Sequence, residues 1–332
     1  MVVDTIEIME NARYDAILMK NFTSRFRKGY VTVDGVTMPL RFKEMQEEIS
    51  NWDTNEEDVW ICSFPKTGTT WTQEMAWMIM NDLDFETGKI NLGARSPFLE
   101  VSALFDYRDL AADIKDFEVP PFLNDSLQFV KDQKNPVCIK THLPYNLLPK
   151  QIQKRAKNPK IIYVARNPKD TCLSYYHHAK LLEGYTGDFD EFCKLFLANK
   201  VCFAPYWKHL LQFWDRRYDD NILFLKYEDM KKDLPSAVRQ TAAFLNKGLT
   251  ENQIDSLTYH LSFDSMKNNP AVNYELVTEL NKKYKLIEYE GAFMRSGSVG
   301  GYKTCMSPDI IEEFDRWIYT NTKNTDFHYY SN

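Results

Sequence analysis

The sequence lacks the features of exported and membrane-spanning proteins. No uncharged apolar stretch approaches the roughly 18 residues that a membrane-spanning helix needs. Residues 1–15 interleave acidic with apolar side chains, and therefore lack the basic start and continuous apolar run of a signal peptide. We expect a cytoplasmic protein without a membrane partner.

The cysteine and charge patterns exclude further classes of protein. The six cysteines show no C-x-x-C spacing and no neighbouring histidine pair, so the sequence indicates neither a metal site nor a disulfide framework. A net charge of −6 disfavours a broad surface for nucleic acid, and an anion would have to bind at a small, local site. We expect reduced, mostly buried thiols at Cys62, Cys138, Cys172, Cys193, Cys202 and Cys305.

The hydrophobic pattern indicates an α/β fold. Hydrophobic residues make up 44% of the chain and no linker interrupts them, so we predict a single domain over residues 1–332 with its core at about residues 55–320. Short β-rich segments alternate with helical patterns, which is typical of a central parallel sheet flanked by helices. The predicted strands are residues 59–64, 137–141, 161–165 and 222–225. The predicted helices are residues 69–80, 168–182, 189–197, 205–216, 235–244 and 308–319.

A hairpin precedes this core. Residues 30–33 and 36–38 are β-rich and flank Asp34 and Gly35, a pair that tolerates the positive φ of a tight turn. We interpret the hairpin as a peripheral flap outside the core.

Residues 65–71, directly after the first predicted strand, have an anion-binding layout. Backbone N–H groups at the start of the next helix point toward a ligand, Lys66 adds a charge, and threonines add hydroxyl donors. The Walker A loop of a nucleotide kinase needs its lysine after the second glycine, whereas Lys66 precedes the only glycine of this loop. The alternative is an ordinary threonine cap beside a solvated lysine.

The second predicted strand ends in a candidate base. Strand side chains alternate, so Lys140 and His142 lie on the same side of an extended segment. A histidine with a pKa of about 6.5 can remove the proton of a hydroxyl group at neutral pH. A lysine can stabilise negative charge on a leaving oxygen. Lys66 and Lys140 are the candidates for that role, and the alternative for His142 is a packed structural residue.

Two further segments carry candidate phosphate ligands. Arg166 ends the third predicted strand, and Ser174 lies two turns into the next helix; the planar fork of arginine suits phosphate. Residues 293–303 contain Arg295 among several glycines, and their alternative is a flexible surface loop. Residues 169–170 are expected to be capping and solvated residues.

These segments resemble the motifs of the cytosolic sulfotransferases, which use 3′-phosphoadenosine 5′-phosphosulfate (PAPS). Residues 65–71 match the phosphosulfate loop P-K-[ST]-G-T-T-W at every position, and residues 140–144 match K-T-H-L-P. Residues 163–177 closely resemble the family's 3′-phosphate segment. The resemblance spans about residues 59–312, and it implies a P-loop-like phosphosulfate loop and a sulfuryl transfer to a hydroxyl group.

The resemblance also implies the residues that bind PAPS or its product PAP. In the family loop R-K-G-x-x-G-x-W-K, Ser296 and Tyr302 replace the usual lysine and tryptophan, and Leu261 replaces a usual threonine near the adenine. Aromatic residues are implied to contact the adenine. The implied ligands are Lys66, Thr67, Gly68, Thr69, Thr70, Trp71, Arg166, Ser174, Tyr227, Phe263, Met294, Arg295 and Gly297.

The acceptor is implied to be a small apolar hydroxyl compound: a phenol, a steroid, a retinoid or a similar alcohol. The implied transfer is in-line and needs no metal, with His142 as base. Phe98 matches a pocket position of the family but fits equally well as a core residue. Other walls are expected from residues 102–125, 177–187 and 264–292.

Several alternatives stay open. A dehydratase acting through a transient sulfate ester would differ only in its product, and a non-catalytic PAPS-binding protein would not need His142. In the family's dimer motif K-x-x-x-T-V-x-x-x-E, Lys303 and Glu312 match whereas residues 307–308 do not. A homodimer is therefore neither indicated nor excluded.

Overall fold

The computed structural model of the protein describes residues 2–289 and 291–328, and its centre is a sheet of four parallel strands. The single domain predicted for residues 1–332 includes Met1, Glu290 and residues 329–332, which lie outside the described residues. The strands are β1 (Tyr30–Val33), β2 (Val36–Pro39), β3 (Val59–Cys62), β4 (Cys138–Thr141), β5 (Lys160–Ala165) and β6 (Ile222–Lys226).

The central sheet has the strand order β4-β3-β5-β6, and all three pairs are parallel. Alternate side chains of β3 enter two hydrophobic clusters, because Trp60 and Cys62 face one side of the sheet whereas Val59 and Ile61 face the other. Burial on both faces explains why the strands are almost continuously apolar. The predicted α/β fold is confirmed.

Helices cover both faces of the sheet. They are α1 (Val2–Asn21), α2 (Phe42–Ser50), α3 (Thr69–Met80), α4 (Leu92–Arg95), α5 (Val101–Leu104), α6 (Arg108–Asp113), α7 (Pro121–Asn124), α8 (Ser126–Lys131), α9 (Lys150–Gln153), α10 (Pro168–His178), α11 (Phe189–Leu197), α12 (Tyr206–Trp214), α13 (Tyr227–Lys232), α14 (Leu234–Phe244), α15 (Glu251–His260), α16 (Phe263–Lys267), α17 (Glu275–Lys283) and α18 (Pro308–Thr322). Short 3₁₀ turns occur at Thr87–Lys89, Tyr145–Leu147 and Gly301–Thr304. The predicted helices at residues 69–80 and 189–197 agree with α3 and α11 at both ends.

The helix predicted at residues 168–182 changes its geometry near its end. α10 stops at His178, and Ala179–Glu183 continues it as a π-helical turn. Gly184 then ends the turn in the left-handed conformation, with φ of 76°. Such turns are frequent at functional sites.

The hairpin was wrongly interpreted as a flap. Its turn is confirmed, since β1 and β2 pair antiparallel and Asp34 and Gly35 both have positive φ. However, Val36 and Met38 are fully buried in the larger hydrophobic cluster. The reason is that β2 is anchored to the domain: the N–H of Thr37 donates to Ala204 O (2.9 Å), and Thr37 O accepts from the N–H of Phe203 (2.7 Å).

The structure also bears on membrane helices, cysteines and metal sites. Within residues 2–289 and 291–328, no helix is both long and apolar enough to cross a membrane. The six cysteines are free thiols, of which five are buried and Cys305 is exposed. The described side chains form no cluster of three or more histidine, cysteine or acidic groups suited to a metal ion.

Candidate active site

A cavity of about 580 Å³ opens where the strands of the central sheet end. Residues that directly follow β3, β4, β5 and β6 line it, as expected for a parallel sheet whose carboxyl ends form the binding edge. The sequence-predicted residues in its wall are Lys66, Gly68, Thr69, Thr70, Trp71, Phe98, Lys140, His142, Arg166, Ser174, Tyr227, Phe263, Met294, Arg295 and Gly297.

Thr67 is the predicted ligand whose side chain the fold turns away from the cavity. Its hydroxyl donates to the carbonyl oxygens of Val164 (2.8 Å) and Phe64 (2.9 Å), and it is completely buried. This side chain fixes the loop to the sheet, so only its backbone N–H remains as a ligand candidate.

The loop after β3 has a strained backbone that presents its N–H groups. Lys66 has a φ of 69° and Gly68 a φ of 111°, and α3 begins at the next residue. A Cβ atom on Gly68 would lie 2.8 Å from Cδ2 of Tyr227, so only glycine fits. The N-terminus of α3 therefore faces the cavity with the polarity that binds anions.

The two lysines of the site rest on aromatic rings. Lys66 Nζ lies 3.6 Å from the ring centre of Phe293, and Lys140 Nζ lies 4.1 Å from that of Phe98. Lys140 also donates to the hydroxyl of Tyr274 (3.0 Å). Burial first, and then the charges of Lys140 and Arg166, lower the pKa of Lys66 well below its ordinary value. Close cations of this kind favour an anionic ligand.

His142 presents one free basic nitrogen. A carbonyl oxygen can only accept, so Nδ1 carries the ring proton and donates to Ser63 O (2.8 Å). Nε2 consequently keeps its lone pair. Burial, followed by the charge of Lys140, lowers the pKa of His142 well below 6.5, so the ring is neutral at pH 7. Phe98 packs edge-on against this ring, with centres 4.9 Å apart.

Two buried groups that the sequence analysis missed hold the backbone of His142. Glu100 accepts from the N–H of His142 (2.6 Å) and the hydroxyl of Thr141 (2.9 Å), and burial raises the pKa of Glu100 to about 7. His209 Nε2 donates to His142 O (2.9 Å). Both come from segments distant in sequence, and no spacing rule connects them with residues 140–144.

Arg166 joins two segments at one end of the cavity. Its guanidinium lies 4.2 Å from the ring centre of Tyr227, and Nη2 donates to Ser298 O (2.9 Å). Its Nε is buried and has no hydrogen-bond partner among the described residues. Trp71 lies beside Tyr227, and its indole N–H donates to Leu261 O (2.9 Å). The aromatic and cationic groups thus meet at one end of the cavity.

Residues 169–170 were wrongly expected to be solvated. Asp170 is buried and accepts from the N–H groups of Gly300 (2.7 Å) and Tyr302 (3.2 Å), so it fixes the glycine-containing loop to α10. Lys169 is also buried and pairs with Asp315. The cap of α10 is Asn167, which accepts from the N–H of Lys169.

The other end of the cavity is mainly apolar. Its walls come from the three segments expected at residues 102–125, 177–187 and 264–292, and from neighbouring residues. Phe98 lies in this wall as well as against His142. The polar side chains His178 and Glu183, which the sequence analysis missed, lie here too. The apolar side chains are Val101, Leu104, Phe105, Leu123, Leu181, Leu182, Phe203, Val277 and Phe293.

Comparisons with known proteins find similar sequences over most of the chain. The sequence model of the sulfotransferase domain matches residues 56–326. Luciferin sulfotransferase of Photinus pyralis is 42% identical over 313 residues, which cover 94% of this chain and 84% of that protein. Sulfotransferase 1B1 of Mus musculus is 32% identical over 87% of this chain and 91% of its own length.

Solved structures are similar over almost the whole chain. The crystal structure of retinol dehydratase in a complex with retinol and PAP has a TM-score of 0.85 and 29% identity, and the match covers 96% of each chain. A mouse sulfotransferase complexed with PAP has a TM-score of 0.65 and 23% identity over 90% of this chain and 95% of its own, which supports the fold.

Proposed function

The chain belongs to the sulfotransferase family and is a PAPS-dependent enzyme, and we propose that it sulfates the hydroxyl group of a small, largely apolar acceptor with His142 as general base. The observation that carries the proposal is the neutral imidazole of His142, whose free Nε2 lies in the wall of a cavity with an anion-binding loop at one end and apolar walls at the other.

The chemistry of the donor end fits PAPS. The loop at residues 65–70 would hold the 5′-phosphosulfate, and Arg166, Ser174 and Arg295 with the backbone of Gly297 would hold the 3′-phosphate. The buried, unpaired Nε of Arg166 is a donor that such an anion would satisfy. Trp71, Tyr227, Phe263 and Met294 would surround the adenine. When bound, PAPS supplies the sulfuryl group and a phosphate leaving group.

Different residues have different roles in the proposed reaction. His142 removes the proton of the acceptor hydroxyl at Nε2, while the bond from Nδ1 to Ser63 keeps the ring in the required tautomer. Lys66 and Lys140 place positive charge where the leaving oxygen becomes negative. Glu100 and His209 hold the backbone of His142 and so orient its ring.

The acceptor class follows from the walls of the cavity. Apolar and aromatic side chains bury a hydrophobic ring system, and Phe98 against His142 directs its hydroxyl toward the base. Phenols, steroids, retinoids and similar alcohols have this character. The 42% identical relative is named luciferin sulfotransferase, which supports a small-molecule acceptor.

The test is transfer of radiolabelled sulfate from PAPS to a panel of phenols, steroids and retinoids, with PAP formation followed in parallel. We expect labelled sulfate esters with the wild type and none with His142→Ala, although PAP binding persists in the variant. Labelled esters at the wild-type rate from the variant would show that His142 is not the base.

A dehydratase is a second candidate, because the retinol dehydratase structure is similar over 96% of the chain. Such an enzyme would expel sulfate from a transient ester. PAP and free sulfate together with a dehydrated acceptor would identify it in the same assay. PAP binding without any turnover would instead indicate a carrier. The placement of His142 argues against a carrier, because binding alone does not need a base.

The cellular setting is also a proposal. The resemblance to cytosolic sulfotransferases supports the cytoplasm. A homodimer through the segment at residues 303–312 stays open, since Ser307 and Pro308 here begin α18: the hydroxyl of Ser307 accepts from the N–H of Ile310 (3.3 Å).

A further inference from the structure

A buried polar cluster lies behind the acceptor end of the cavity. Arg27 is completely buried, and its Nη1 lies 2.5 Å from Oε2 of Glu183. Its Nε and Nη2 donate to Leu104 O (3.3 and 3.1 Å). On the other side, Oε1 of Glu183 lies 3.1 Å from Nε2 of His178. Leu104, Glu183 and His178 all line the cavity, so one chain of bonds connects two of its walls.

The cluster fixes the proton of His178. Burial alone would raise the pKa of Glu183, but Arg27 and His178 hold it at about 2, so the carboxylate is ionised and only accepts. His178 Nε2 must therefore carry a hydrogen. Burial, followed by the charge of Lys66, lowers the pKa of His178 to about 4, so the ring is neutral at pH 7. The lone pair is left on Nδ1.

This lone pair is unused. Nδ1 of His178 is buried and has no hydrogen-bond partner in the part of the chain that the structure describes. The side chain as a whole is 16% exposed and forms part of the cavity wall. Phe293 packs edge-on against it, with ring centres 5.8 Å apart, and the same Phe293 lies under Lys66. Phe293 therefore contacts both this histidine and the lysine of the phosphosulfate loop.

Building on the proposed function, we propose that His178 is a specificity-determining residue that accepts a hydrogen bond from a second donor group of the acceptor. The donor is a hydroxyl or N–H group remote from the hydroxyl that is sulfated. A buried acceptor atom without a partner is unfavourable, and a ligand that donates to it removes that penalty. An O-methylated ligand cannot donate, and its methyl group needs extra space. The preferred acceptors are therefore diphenols and related diols.

The test uses diphenols of three lengths, hydroquinone, 4,4′-dihydroxybiphenyl and 4,4′-dihydroxystilbene, each paired with its mono-O-methyl ether. Every compound keeps a hydroxyl that can be sulfated, so the pairs differ only in the remote donor. We measure kcat/KM with PAPS for the full-length wild type and His178→Phe, and correct the diphenols for their two equivalent hydroxyls. We expect the wild type to prefer the diphenol about tenfold at one length or more, which corresponds to one net hydrogen bond.

Two further variants separate recognition from a general disturbance of the helix. His178→Asn keeps an acceptor atom near the position of Nδ1 and is expected to retain part of the preference, even if the phenylalanine variant does not fold. Tyr176→Leu removes a ring two residues earlier in α10, where it packs on Phe189 and Phe192 outside the cavity wall, and is expected to leave the preference unchanged.

The outcomes distinguish this inference from the proposed function. Loss of the preference in His178→Phe, with the mono-ethers still sulfated, would support the role of His178. Equal kcat/KM within every wild-type pair, or a preference that survives in His178→Phe, would overturn it while the sulfotransferase function stands. Failure of the wild type to sulfate any of the six compounds, while PAP still binds, would overturn the proposed phenolic acceptors and this inference together.

Discussion

The two ends of the cavity are built in different ways. The donor end is formed mainly by short contiguous segments that follow β3, β5 and β6, joined by residues 261–263 and 293–298, and their cations and N–H groups face one place. The acceptor end is assembled from several helices and irregular segments between residues 98 and 293, and one of its walls is tied to Arg27 near the start of the chain. The first end depends on local sequence, whereas the second depends on tertiary packing.

This difference explains what substitutions should do. A change at the donor end should alter chemistry or nucleotide affinity and leave the fold intact, because its side chains face the cavity. A change behind the acceptor end should alter stability as well, because the polar groups there are buried in the core.

The largest expected effect tests the junction between the two ends. His142→Ala removes the proposed base, so kcat should fall by about 10²- to 10⁴-fold. PAP affinity, measured by calorimetry, should change little, because no proposed contact of His142 reaches the nucleotide. A wild-type kcat would remove His142 from the mechanism, and an equal loss of PAP affinity would indicate a disturbed donor end.

The next effect tests whether the acceptor end depends on the core. Arg27→Met leaves the carboxylate of Glu183 buried without its cation, which should lower the free energy of unfolding by about 3–5 kcal/mol. Denaturant unfolding measures this change. Arg25→Met is the matched control, because Arg25 pairs with Asp113 at an exposed site and should contribute at most about 1 kcal/mol. If both variants lost the same free energy of unfolding, the buried pair would not stabilise the protein more than the exposed pair does.

A smaller effect tests the donor end alone. Arg166→Ala should weaken PAP binding by about 1.5–3 kcal/mol, the usual contribution of a charge-assisted hydrogen bond, without altering unfolding. Arg108→Ala, an exposed arginine paired with Glu44, serves as the control and should bind PAP normally. If Arg166→Ala bound PAP as tightly as the wild type, Arg166 would not be a ligand.

The smallest effect concerns pH. The lowered pKa of His142 keeps Nε2 unprotonated in mild acid, so the acid limb of kcat/KM should lie below pH 6.5. After burial, the charge of Lys140 is the main cause of this shift, and the His209 and His178 rings add to it while the bond to Ser63 opposes it. Lys140→Met should therefore move the acid limb to higher pH, whatever it does to the rate itself. An unmoved limb would mean that another group controls it.

The sequence predicted, for a physical reason, which residues meet at the polar end of the cavity. Each of its segments places several candidate ligands within a few residues, so their spacing in the sequence is enough to predict them. Lys66 and Gly68 lie at the two positions of the loop that have a positive φ. The exception is Thr67, whose polar side chain is used for the sheet and not for the ligand. From the sequence, a threonine hydroxyl could bind either a ligand or the backbone of the sheet, and only the folded structure shows which it does.

The acceptor end and its supports could not be predicted in the same way. Glu100, His209 and Arg27 act through partners from 42 to 156 residues away, so no local pattern marks them. The hairpin was misjudged for the same reason, since its burial depends on the distant segment that contains Phe203. The buried Asp170 shows that even a residue at a helix start can serve a loop 130 residues later.

The π-helical turn at Ala179–Glu183 makes the polarity of one cavity wall depend on the local geometry of a helix. Glu183 follows His178 by five residues, and in a regular α-helix two such positions point about 140° apart. The wider turn brings both side chains to the same side, where they share a hydrogen bond. If these residues formed a regular α-helix instead, the same two side chains would lie on different faces and could not share this bond. The local widening of the helix therefore decides whether Glu183 and His178 form one polar wall of the cavity.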